Sequence, residues 1–102
     1  MTERIVLCPE EDIPPGTSRG FQLGPSREVV VANVDGELHA VDGTCPHRSA
    51  SLAQGTLDGA TVTCPWHGYR FDVRTGRGLT NPHASVATHR VAVEEGKVVV
   101  YL

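Results

Sequence analysis

CPHRSASLAQGTLDGATVTCPWHGYRFD, residues 45–72, contains the same short arrangement twice: Cys45-Pro46-His47, then Cys64-Pro65-Trp66-His67, with sixteen residues between them. Each run offers one thiol and one imidazole from a proline-containing loop. Together they make a set of four metal-ligand side chains. Thiolates with imidazoles suit zinc, iron or an iron–sulfur cluster and exclude a hard-cation site for calcium or magnesium. Zinc is the competing reading, since two Cys and two His can close a tetrahedron. The usual zinc spacings are absent, with neither a Cys-x₂-Cys knuckle nor a His-x₃₋₅-His pair on a helix. Two loops that each give Cys and then His better suit a binuclear centre, with both thiolates on one iron and both imidazoles on the other.

Outward from this stretch the chain reads as all-β. Arg4–Leu7 is a short strand, and Pro9–Pro14, with three acids, suits one turn of helix or 3₁₀. Glu28–Val34 and Glu37–Val41 are β-branched, alternating runs joined by Asp35-Gly36, a strong hairpin signal. A second Asp-Gly pair, Asp58-Gly59, precedes Ala60–Cys64, and Ser85–Val93 with Lys97–Leu102 flank a third turn at Glu94-Glu95-Gly96. No window holds apolar residues at helical spacing for three turns. Between residues 43 and 82, prolines and glycines break the chain into loops, and loops on a rigid scaffold are where binding chemistry usually sits.

The 102 residues form one domain, 39% hydrophobic and 21% charged, within the range of soluble globular proteins. A net charge of −3 is too mild and of the wrong sign for a nucleic-acid binder. The longest apolar runs, Val29–Ala32 and Val98–Leu102, are far shorter than a membrane span, and no signal-peptide core follows Arg4. Three cysteines is an odd number that counts against a secreted disulfide framework, so the expectation is a cytoplasmic, reducing compartment. Charge is uneven: residues 1–42 sum to −5, residues 43–82 to +2, and the remainder to zero.

Cys45-Pro46-His47-Arg48, Leu52, Cys64-Pro65-Trp66-His67-Gly68-Tyr69-Arg70-Phe71-Asp72 and Thr75-Gly76 resemble the signature of Rieske ferredoxins and Rieske oxygenases. The resemblance implies an antiparallel β-sandwich or barrel-like domain with a cluster-binding loop subdomain at one tip. It implies one [2Fe–2S] cluster held by Cys45, His47, Cys64 and His67, with a third loop at Asn81–His83 covering it. The function implied is that of a one-electron carrier between a flavin reductase and a terminal oxygenase, with no membrane, nucleic acid or small-molecule substrate as partner. Beyond the cluster ligands the sequence has no pair of His with a carboxylate of the kind a mononuclear iron needs, which favours a carrier over an enzyme. The alternatives are the small subunit of an NAD(P)H nitrite reductase, which Asp12–Gly16 and the closing hairpin resemble, and a zinc-bound adaptor without redox activity.

Departures from the respiratory Rieske pattern set a further expectation. Ala50 and Trp66 stand where respiratory members carry a disulfide, and Tyr69 and Phe71 stand where they place hydroxyl donors to sulfur. Fewer donors to sulfur stabilise the added electron less, so the expected potential is low.

Other residues receive plainer readings. Cys8 is a buried or half-buried thiol, His39 faces solvent, His89 is a surface or packing residue, and Trp66 shields the cluster as an apolar lid. His83 follows Pro82 in the covering loop, and its role is open. Asp72, Thr75 and Gly76 build a turn. Arg48, Arg70, Arg74 and Arg77 are either an ordinary solvated surface or a docking patch for an acidic partner.

Overall fold

The Asp35-Gly36 turn forms as the sequence predicts, with both residues at positive φ (54° and 95°), the geometry that lets a two-residue turn follow the twist of its strands. Glu95-Gly96 repeats the device at 52° and 76°. These hairpins belong to a computed structural model that describes residues 3–25, 27–43, 51–65, 68–81 and 84–102.

Nine strands are found among the described residues: β1 (Arg4–Pro9), β2 (Ser18–Gly24), β3 (Arg27–Val34), β4 (Glu37–Asp42), β5 (Thr56–Asp58), β6 (Thr61–Thr63), β7 (Arg70–Asp72), β8 (Thr88–Glu94) and β9 (Lys97–Tyr101). Six form one antiparallel sheet in the order β1-β9-β8-β4-β3-β2, and the other three form a small sheet, β5-β6-β7. Short 3₁₀ turns occupy Glu10–Asp12, as expected, and Leu52–Gln54.

β3 is the wall between two cores. Val29, Val30, Val31 and Ala32 are all fully buried. Because successive side chains point to opposite faces, Val29 and Val31 join Cys8, Ile13, Ala40, Val98 and Val100. Val30 and Ala32 instead join Val41, Leu52, Val62, Cys64 and Phe71 beneath the small sheet. The strand read from the sequence is therefore present, and it is buried on both faces.

One expectation needs correction. The strand placed over Ser85–Val93 begins only at Thr88. Ser85 bridges Arg77, and the Val86 N–H donates to Gly76 O at 2.8 Å, so this segment serves the small sheet's loop. Gly76 permits that contact, since a Cβ there would lie 2.0 Å from Val86 O. β2 was not foreseen: Gly20, Gly24 and the polar Ser18, Arg19 and Gln22 dilute its pattern, as befits a strand paired on one side only.

Asn33 is the buried polar residue of the core, 7% exposed. Its Nδ2 donates to Ile13 O at 2.8 Å, and its Oδ1 accepts from the Gly36 N–H at 2.7 Å. One side chain thus fixes both the hairpin turn and the segment after the first 3₁₀ turn. We predict that Asn33→Ala lowers unfolding free energy by about 1–3 kcal/mol, the cost of leaving buried partners unmet. Urea titration checks this, and a midpoint unchanged from wild type would show that water replaces both bonds.

Candidate metal centre

Of the four sequence-predicted ligands, Cys64 lies among the described residues; Cys45, His47 and His67 lie outside them, as do Arg48, Ala50, Trp66, Pro82 and His83. Cys64 follows β6 directly and is 1% exposed. Its N–H donates to Tyr69 O at 2.6 Å, and Thr63 pairs with Arg70, so the β6–β7 ladder closes the neck of the second loop. Gly68, at φ 68°, supplies the left-handed residue on its return side.

The first loop leaves from Gly43 and returns at Ser51. Leu52 N donates to Gly43 O at 2.7 Å, and Gly43 N donates to Glu28 O at 2.7 Å. Ser51 Oγ donates to the Glu28 carboxylate at 2.6 Å and accepts from Ala53 N at 3.2 Å. The third loop's neck is tied by Ala84 N to Asn81 O at 3.0 Å and Gly78 N to Ala84 O at 2.9 Å.

The three necks adjoin. A Cβ on Gly55 would lie 1.9 Å from Thr63 O, so the end of the first loop sits directly on β6. Leu79 N donates to Arg70 O at 2.8 Å, which fastens the third loop to β7. Leu52, Cys64 and Phe71 share one core cluster. Two thiols and two imidazoles are thus carried by loops with adjoining feet, one thiol already sheltered from water. This donor set fits a cluster with mixed sulfur and nitrogen ligands.

The charged residues divide on inspection. Arg74 is committed to Asp72 through two contacts, Nε to Oδ1 at 3.1 Å and Nη2 to Oδ2 at 3.0 Å. The Arg74 guanidinium holds the Asp72 carboxyl below its usual range, against an opposing effect of burial. Arg70 and Arg77 are exposed and make no ion pair among the described residues. The turn expected from Asp72, Thr75 and Gly76 is present, with Asp72 O accepting from Gly76 N at 2.7 Å.

His39 does not face solvent as expected. Its side chain is 19% exposed and its Nε2 lies 2.8 Å from Glu37 Oε1. His89 is a packing residue, 11% exposed, with Nε2 2.7 Å from Asp42 Oδ1. Cys8 is buried in the barrel core, and that burial pushes its thiol up. Sequence reasoning missed Glu28 and Ser51, whose meeting spans 23 positions of chain and leaves no local signal.

Residues 3–100 match the family of the Rieske [2Fe–2S] domain. The chain is 37% identical over 97 residues to the ferredoxin CarAc of Metapseudomonas resinovorans, covering 94% of this chain and 91% of that one. Its fold superposes with a TM-score of 0.88 and 36% identity on a chain from the complex of reduced oxygenase and oxidized ferredoxin in carbazole 1,9a-dioxygenase, covering 95% of this chain and 91% of the other. The nitrite reductase small subunit of Mycobacterium tuberculosis gives a TM-score of 0.87 at 25% identity, covering 100% and 96%. The zinc reading falls with these matches. The chain belongs to the Rieske [2Fe–2S] family, and within it is a single-cluster ferredoxin that carries electrons without catalysing a reaction of its own.

Proposed function

We propose that this ferredoxin accepts single electrons from a flavin reductase in the cytoplasm and delivers them to a terminal oxygenase. In this reading Cys45 and Cys64 hold one iron and His47 and His67 the other. The observation that carries it is the match, over nearly the full length of both chains, to a ferredoxin found with its oxygenase. When bound, the cluster supplies a site that gains and loses one electron. The chain's own residues set how readily and to whom. The nitrite reductase reading draws on a fold equally close, but its identity is 25% against 36% for the oxygenase-associated chain.

Cys64 and Phe71 share the core cluster, and Phe71 is fully buried with no hydroxyl to offer a sulfur. We predict a potential near the bottom of the Rieske window of roughly −150 to +300 mV. Phe71→Tyr should raise it by placing a donor in that core. Protein-film voltammetry checks both, and a wild-type midpoint above about +200 mV, in the same window, would contradict the argument.

Docking follows from what surrounds the necks. Leu79 is 48% exposed, and its N–H is fastened to the backbone of Arg70. Arg70 and Arg77 keep their charges uncommitted among the described residues, whereas Arg74 does not. An apolar contact flanked by cations suits a weak, short-lived encounter with a carboxylate-rimmed partner. We predict that transfer from the cognate reductase slows as ionic strength rises, and that Arg70→Glu or Arg77→Glu slows it about ten-fold at low salt. Arg74→Gln should have a smaller effect, and none of the three should shift the potential much. Stopped-flow kinetics decides this, and rates indifferent to salt and to both reversals would leave docking to apolar contacts alone.

A further inference from the structure

Glu28 stands at the point where β3 turns from exposed to fully buried, and its carboxylate points at the first loop instead of at solvent cations. No Lys, Arg or His pairs with it among the described residues. Its backbone O accepts from Gly43 N at 2.7 Å, where the loop departs. Its Oε1 accepts from Ser51 Oγ at 2.6 Å, where the loop returns. Hydroxyl-to-carboxylate bonds of this length are among the stronger ones a protein makes.

The neighbouring glycine is shaped to this carboxylate. A Cβ on Gly43 would lie 2.5 Å from Glu28 Oε1 and 2.6 Å from its Cγ, so the Glu28 side chain occupies the space that any larger residue there would need. On β2, a Cβ on Gly20 would lie 2.2 Å from Ala53 Cβ, so that strand makes room for the turn that Ser51 caps. Two strands, β2 and β3, and the residue that follows β4 thus yield or contribute atoms at one small clasp.

We propose that Glu28 is a positioning residue for the metal centre: by holding Gly43 and Ser51 together, it fixes the span across which the first loop presents Cys45 and His47. The inference rests on the four-ligand reading above. Partners outside the ligand shell commonly change metal affinity 10- to 100-fold, and a clasp on the loop's two ends acts at that level.

The test uses the holoprotein with Glu28→Gln, Glu28→Ala, Ser51→Ala and the double alanine variant. Two signals are followed: the rate of visible bleaching with a ferrous chelator, and the EPR g-values after reduction. Glu28→Ala and Ser51→Ala should each bleach about ten-fold faster and shift the g-values. The double variant should be no worse than either single. Glu28→Gln, which keeps an acceptor oxygen, should bleach at the wild-type rate with wild-type g-values. Should Glu28→Ala fail to accumulate, the smaller change Ser51→Ala carries the comparison. Wild-type bleaching and g-values in the Ser51→Ala protein would overturn the clasp, as would a Gln variant as damaged as Ala. A colourless wild-type protein would instead overturn the ligation itself, and the clasp with it.

Discussion

A strand buried on both faces is the constraint on which the rest of this molecule depends. β3 has no solvent side between Val29 and Ala32, so its backbone bonds and both rows of side chains must be met by protein. On one row the barrel closes over Val29 and Val31; on the other, Val30 and Ala32 support Leu52, Cys64 and Phe71. Shifting the strand by one residue would exchange the two rows, and with them the footing of the small sheet. The feet of the loops therefore inherit their position from the register of the β3–β4 hairpin, which Asp35-Gly36 and Asn33 pin at its turn.

That footing gives the feet of the loops a common base. The necks of the loops are tied to one another and to β3 by backbone bonds and by the Glu28 carboxylate. Elsewhere, polar contacts strengthen the scaffold: Tyr101 donates to Glu94, Arg4 reaches the same carboxylate at 2.7 Å, and Arg90 lies 4.9 Å from the Tyr101 ring. The hydrogen bond from Tyr101, with that from Arg4, keeps the Glu94 carboxyl below its usual range. These groups sit on β1, β8 and β9 and latch the first strand to the last hairpin.

The hairpins, the first 3₁₀ turn and the all-β class were legible because turn chemistry is local: Asp35-Gly36 and Glu95-Gly96 take positive φ at both residues, and Gly59 does so after Asp58. The paired Cys and His motifs stand out for the same reason, each Cys lying two or three residues from its His. What escaped depends on distance. Glu28 looked like an ordinary strand residue because its partner lies 23 positions away. Val29–Ala32 stood out as an apolar run, but nothing local reveals that a second sheet covers it. The pairing of Ser85 and Val86 with the Gly76 turn likewise follows from packing that no period of two or 3.6 encodes.

The central claim is that two loops on this scaffold place two thiolates and two imidazoles around one [2Fe–2S] cluster. Pulsed EPR of the reduced protein reads those ligands directly. The account predicts a mixed-valence signal of low average g, with hyperfine couplings from two iron-bound nitrogens, one of them lost when His67 is replaced by Cys. A reduced cluster without nitrogen couplings would contradict it, as would EPR-silent protein holding one zinc per chain.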